Sequence, residues 1–392
     1  MQPYKALDYL DLDSEFSQDE RMVRDTVRAW VSDRFLPVVT EHFEAGTFPH
    51  HLTPELAELG VFGPNLPEEY GCAGLNNVAY GLICQELERG DSGLRSYVSV
   101  QGSLVMYPIF AWGSDEQKKH WLPKLAAGKA IGSFGLTEPD FGSNPGGMAS
   151  RARKDGDSWI LNGRKMWITN GTIADVSVVW ARAEDGIRGF LVEKGMPGFS
   201  APEQKHKWSL RASVTSELVL EDVRVKEATH MLPKAKGLKC PLGCLTQARY
   251  GIAWGALGAA LACFDEALSY SKSRIVFDKP LAAYQIPQKK LADMGTQITL
   301  GQLMALRMGR LKDEGRLQPH HVNMGKRNNV HIALEIARTC RDMLGANGIS
   351  LEYQVGRHMT NLESVYTYEG THDIHTLAIG EALTGIPAYR VG

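Results

Sequence analysis

The chain has 392 residues, 43% of them hydrophobic and 22% charged, with a formal net charge of −2. This suits a globular protein of two or three units with a sizeable core, and with no basic block it excludes nucleic acid as a partner. The six cysteines form no CxxC pair and the histidines no ligand cluster, so the thiols read as reduced and buried and no metal is expected.

Met1 to Gln18 carries acids and no long apolar run, which argues against a signal or transit peptide. The expected location is cytoplasmic for a bacterial protein, or the mitochondrial matrix for a processed eukaryotic one. Residues 1–131 read as a helical domain. Thr53-Pro54-Glu55 supplies an N-cap, a proline at the first helical position and an acid, and Gly60 closes that helix. Asn76 to Gly90 reads as amphipathic, with Tyr80, Ile83, Cys84 and Leu87 on one face. Ser114 to Gln117 is a capping box, and Gly128 ends its helix.

Residues 132–245 read as a β domain, a barrel or a sandwich. Trp159 to Thr169 predicts a hairpin turning at Asn162-Gly163. Val176 to Ala181, Arg188 to Glu193 and Glu217 to Val225 are further strands. Phe134 to Asn144 is a turn whose hydroxyls and backbone could meet a polar ring or a phosphate, or simply decorate a β-turn. Alternation puts Trp167 and Thr169 on one face, where the indole could pack on a flat ring or fill the core.

Residues 246–392 return to long helices: Arg249 to Lys272, Tyr284 to Asp313, Val322 to Leu344 and Thr371 to Leu383. They predict a four-helix bundle, making the fold class a multidomain α+β protein. The apolar run Tyr250 to Phe264 is shorter than the roughly 20 residues that cross a bilayer, so it reads as a buried helix and no membrane insertion is expected. There is no GxGxxG after a strand, Walker A loop, HExxH or GxSxG, which argues against the cofactor sites and hydrolases those motifs mark. Near the C-terminus, Glu369 precedes Gly370; the pair could turn a loop or carry a base into a cleft.

Gly135-Leu136-Thr137-Glu138-Pro139 with Gly142-Ser143, then Trp167-Ile168-Thr169, resembles the flavin-binding β domain of the acyl-CoA dehydrogenase family. Arg274-x-x-Phe277 with Pro280-Leu281 and Gln285, Asp342 to Gly348, and Tyr368 to Thr371 resemble further family segments, so the likeness covers nearly the whole chain. The resemblance implies FAD as cofactor, with contacts at Phe134, Leu136, Thr137, Ser143, Trp167, Ile168, Thr169 and Thr371. Arg274, Phe277, Gln285, Asp342 and Gly345 would meet the FAD of a neighbouring subunit, and a homotetramer is expected. It also implies an acyl-CoA substrate, an electron-transfer flavoprotein as partner and Glu369 as the catalytic base. Some members carry the base on a bundle helix, at the position filled here by Ala248, which cannot take a proton. Departures from the pattern are Phe141, Asn144, Asp278 and Ala346.

Within the family, Glu86 to Ser96, Ala248 to Gly255, Lys326 to Asn329 and Tyr368 to His375 look like the subgroup that oxidises and decarboxylates glutaryl-CoA. That likeness implies Arg95 and Ser96 as anchors for the distal carboxylate. It implies further substrate contacts at Glu88, Ser143, Arg249, Tyr368 and Gly370. The product would be crotonyl-CoA. Competing readings are a short- or branched-chain acyl-CoA dehydrogenase without decarboxylation, an acyl-CoA oxidase, and a non-catalytic scaffold on the same fold.

Overall fold

The computed structural model describes residues 5–389. The first helices are α1 (Gln18–Trp30), α2 (Leu36–Ala45), α3 (Thr53–Glu58), α4 (Asn77–Gly90), α5 (Ser92–Ser99), α6 (Tyr107–Trp112) and α7 (Asp115–Ala126). The expected capping box opens α7: Ser114 accepts from the Gln117 backbone N–H, and the Gln117 side chain accepts from the Ser114 N–H. Thr53 does not cap α3, because a 3₁₀ turn at His50–Leu52 already leads into it. Its hydroxyl pairs with the Tyr97 hydroxyl at 2.8 Å.

The expectation of an amphipathic helix over 76–90 is corrected. Every residue from Val78 to Gly90 is buried. The helix packs between α1 and the bundle, so its charges lie inside and are paired, as Arg28 and Arg89 are with Glu86.

The middle of the chain forms β1 (Gly132–Gly135), β2 (Arg151–Asp155), β3 (Ser158–Thr169), β4 (Val176–Ala183), β5 (Gly186–Glu193), β6 (Phe199–Ser200) and β7 (Thr215–Lys226), then a short helix α8 (Glu227–His230). The strands make one seven-stranded mixed sheet, ordered β1-β4-β2-β3-β7-β6 with β5 beside β4. The predicted hairpin is absent. β3 runs straight through Asn162-Gly163 and pairs with β7 along its length, with a register shift there. The Asn162 amide and the Asp222 backbone and side chain bond each other across the shift at 2.9 Å. A Cβ at Gly163 would lie 2.2 Å from Ser150 Oγ. Asn-Gly therefore marks a bulge rather than a turn.

A second shift, between Lys165 and Ile168, leaves Trp167 left-handed at φ 63°. Strict alternation fails there: Trp167 faces solvent and Ile168 faces the core.

The C-terminal part holds α9 (Lys239–Ser273), the small strands β8 (Ile275–Val276) and β9 (Lys279–Pro280), then α10 (Gln285–Asp313), α11 (Pro319–Met343), α12 (Val355–Thr367) and α13 (His372–Thr384). The border expected at 245/246 falls inside α9. Helix α12 adds to the four helices predicted. Tyr250 to Phe264 is buried throughout. α9 is long and apolar enough to cross a membrane, but 83% of that window lies inside the fold. α4 approaches α9 closely because α9 presents glycines: a Cβ at Gly255 would lie 2.1 Å from the Glu88 carboxylate, and one at Gly258 1.8 Å from the Gln85 carbonyl oxygen.

Candidate active site

α12 ends at Thr367, where the Tyr368 N–H still bonds the Ser364 carbonyl at 2.8 Å. Then the chain reverses. Glu369 has φ 52° and Gly370 φ 93°, and the Thr371 hydroxyl caps α13 by accepting from the Ile374 N–H. A left-handed non-glycine residue costs roughly 1–3 kcal/mol, so the surroundings must hold it. They do so through carbonyl oxygens. Arg249 on α9 donates through Nε to the Glu369 carbonyl at 2.6 Å. Lys326 on α11 donates through Nζ to the carbonyls of Tyr368 at 3.0 Å and Gly370 at 2.8 Å.

Glu369 Oε2 is buried and has no hydrogen-bond partner. Burial raises the carboxyl above its usual range, against the opposing charges of Arg95, Arg249 and Lys326. A carboxyl raised in this way is a stronger base than an exposed one, and its burial keeps the proton it takes from water.

Beyond the loop lies a second polar cluster. Arg95 on α5 is 1% exposed and donates through Nε to Glu88 of α4 at 2.8 Å. Its other arm reaches the Tyr368 hydroxyl. Ser92 donates to the second Glu88 oxygen at 2.8 Å, and the Ser96 and Tyr368 hydroxyls lie 3.3 Å apart. Burial holds the Tyr368 phenol above its ordinary pKa, so it stays a neutral donor. Glu88, Arg95, Ser96, Tyr368, Glu369 and Arg249 thus come together through direct contacts, and Lys326 joins Gly370 to them. Arg249, expected at the substrate, spends its Nε on the loop backbone.

The residues expected at the cofactor fall on two surfaces. On the β domain, the side chains of Phe134, Leu136 and Ile168 are buried, so only their backbone can meet a ligand. Thr137 and Thr169 are half-buried and Ser143 is exposed. Trp167 is 60% exposed, and its backbone N–H, not its ring, donates to the Gln204 side-chain oxygen at 2.9 Å. An uncovered indole beside hydroxyls fits a flat heteroaromatic ring. On the bundle, Arg274 is exposed with no ion pair among the described residues. Phe277 is 89% exposed and left-handed at φ 46°, and Asp278 is left-handed at φ 65°, where glycine would be unstrained. Gln285 is exposed, Asp342 pairs with Lys290 at 2.5 Å, and Gly345 is left-handed at φ 60°. These unspent donors and uncovered rings fit a flavin dinucleotide.

Sequence reasoning gave no role to two buried lysines. Lys326 is one. Lys165 is the other: its ammonium bonds Glu138 at 2.8 Å and the Leu136 carbonyl at 3.2 Å, while Glu138 accepts from the N–H groups of Ala149 and Ser150. That pair pins the turn carrying Thr137 and Ser143. His375 is fully buried, with Nδ1 on Asn323 Oδ1 at 3.1 Å.

The order of helical domain, mixed sheet and helical bundle, with a buried carboxyl on a strained loop between two bundle helices, defines a class of flavin-dependent acyl-thioester oxidoreductases. The chain belongs to the acyl-CoA dehydrogenase family: residues 17–129 match its N-terminal domain, 133–223 its middle domain and 235–384 its C-terminal domain. A glutaryl-CoA dehydrogenase from Mycobacterium smegmatis, solved in complex with FADH2, is similar at 57% identity and TM-score 0.96, covering 97% of this chain and 98% of that one. The short-chain specific acyl-CoA dehydrogenase of Bos taurus mitochondria is 34% identical over 381 residues, covering 96% of this chain and 92% of the relative. A chain in the structure of the electron transferring flavoprotein of Acidaminococcus fermentans is 32% identical with TM-score 0.91, covering 96% and 100%. The protein is an FAD-dependent acyl-CoA dehydrogenase.

Proposed function

We propose that this enzyme oxidises glutaryl-CoA between its α and β carbons and decarboxylates the product to crotonyl-CoA and CO2. The observation that carries this reading is the buried Arg95 cluster behind the base. A buried cation and two hydroxyls beside the loop that carries the base suit a second carboxylate, and would be costly to bury against a purely apolar chain.

Arg95, Ser96 and the Tyr368 hydroxyl bind the distal carboxylate and so fix the reach of the acyl chain. The backbone N–H of Glu369 donates to the thioester carbonyl, favouring the enolate-like transition state. Glu369 removes the α proton. FAD, when bound, supplies the acceptor for the β hydride. The distal carboxyl then leaves as CO2, its bonding pair passing into a dienolate. Protonated Glu369 returns its proton to the γ carbon, which completes crotonyl-CoA and restores the base. The electrons leave to an electron-transfer flavoprotein, and the active assembly is a homotetramer in which Arg274, Phe277, Gln285, Asp342 and Gly345 serve a neighbour's cofactor.

The deciding experiment is product analysis with glutaryl-CoA and an artificial electron acceptor. Crotonyl-CoA with one CO2 per turnover is expected; accumulation of glutaconyl-CoA would remove the decarboxylation step.

A second reading is a short-chain dehydrogenase that releases a simple enoyl-CoA. It is favoured by the Arg95–Glu88 pair, which satisfies the cation without any substrate anion. Under it, butyryl-CoA turns over faster than glutaryl-CoA.

A further inference from the structure

Lys326 sits at the centre of the site without an assigned task. It is 1% exposed and forms no ion pair among the described residues; its partners are carbonyl oxygens. Those two carbonyls, of Tyr368 and Gly370, bracket Glu369, and Arg249 holds the one between. Two cations from two helices therefore take three consecutive carbonyls of the turn that carries the carboxyl. Neutral donors would suffice to hold the backbone alone. A buried ammonium is costly, and it adds something a neutral donor cannot, namely charge close to the carboxylate.

We propose that Lys326 is a positioning residue for the dehydrogenation, holding Glu369 in its left-handed turn and offsetting the charge of its carboxylate. This rests on Glu369 being the base. The groups acting on Lys326 come from four helices and the loop: Glu88 of α4, Arg95 of α5, Arg249 of α9 and Glu369 of the loop, with His375 of α13 close by. Arg95 and Arg249 repel the ammonium, while Glu369 and Glu88 attract it. Burial, the largest influence, brings it down to about 7. The amine can donate to both carbonyls in either protonation state, but only the ammonium stabilises the ionised base.

The test uses Lys326→Met, which removes donors and charge, and Lys326→Gln, which keeps donors and removes charge. Each is assayed as the flavin-loaded enzyme with whichever of glutaryl-CoA and butyryl-CoA turns over faster. Lys326→Met is expected to lose about a hundredfold in kcat with little change in KM. Its acidic limb should move up by about one pH unit, because the carboxylate loses a stabilising charge. Lys326→Gln is expected to recover part of kcat but keep the displaced limb. An unmoved limb in Lys326→Gln overturns the proposal, whether or not Lys326→Met folds. Glu369→Gln runs in parallel: if it stays active, the base assignment itself fails, an outcome distinct from a silent Lys326.

Discussion

The carboxylate of Asp91 and the guanidinium of Arg357 lie 2.6 Å apart, both buried, and they tie the two halves of the site together. Asp91 caps α5, the helix of Arg95 and Ser96, by accepting from the Gly93 N–H. Arg357 lies on α12, the helix that ends at Tyr368 and Glu369, and Asn361 of the same helix bonds Asp91 at 2.8 Å. Asn361 also accepts from the Leu210 N–H, which draws in the β domain. Breaking a buried pair on one side leaves an uncompensated charge. Arg357→Leu should therefore cost about 3–5 kcal/mol of stability, read as a fall in denaturant midpoint. A loss below 1 kcal/mol would show that water reaches Asp91.

Arg95→Met should raise KM and lower kcat for glutaryl-CoA far more than for butyryl-CoA, which loses only the Arg95 charge near Glu369. The difference between the two substrates is expected to be about 2–5 kcal/mol in kcat/KM, the worth of a buried charge-assisted contact. Equal loss on both would mean that Arg95 serves the fold through Glu88 and not the substrate.

Glu369→Gln should reduce turnover by about 10²–10⁴-fold while keeping the flavin absorption band. Wild-type activity should fall on acidification through a pKa above 4.5, since burial raises the carboxyl and only its ionised form is a base. An acidic limb at or below 4.5 would place the titration on another group.

Gly370→Ala tests the turn. Its φ of 93° disfavours any side chain, and the new Cβ would lie 2.9 Å from His375 Nε2 and 3.1 Å from an Arg249 nitrogen. A drop in kcat of tenfold or more with intact flavin content is expected, as a change of about 1.4 kcal/mol corresponds to tenfold. Full activity would mean that the loop has other workable shapes.

His375 gives a pH signature in stability. Burial, with Lys326 and Arg249 nearby, lowers it to about 2 from an ordinary 6.5. Below pH 6.5 the unfolded chain takes up this proton and the folded chain does not, so stability falls on acidification between pH 6.5 and 2. The slope from this one group is about 1.4 kcal/mol per pH unit. His375→Gln should flatten the acid limb of the unfolding free energy by that amount; an unchanged slope would show that His375 protonates in the folded state.

The α–β–α order was legible because hydrophobic period, caps and glycine stops agree along most helices. α12 escaped notice because its cap is tertiary: Glu266 of α9 accepts from the N–H groups of Gln354 and Val355. The Asn-Gly pair was misread because a turn and a bulge ask for the same residues, and only pairing with β7 separates them. Glu369 and Arg95 stood out through family resemblance. Lys326 fell in a segment resembling the subgroup, yet neither it nor Lys165 drew a role, since a lysine on a helix or strand reads as solvated until the chains that bury it are known.

Helix α9 runs without a break from Lys239 to Ser273 and hands the chain to Arg274. Arg249 and Arg274 are 25 positions apart along it (274 − 249), or about 37 Å at 1.5 Å per residue. α9 is therefore a ruler as well as a core element. Inserting or deleting one residue between them would swing Arg274 by about 100° relative to Arg249. Tolerance to length change in this helix should come only in steps close to whole turns.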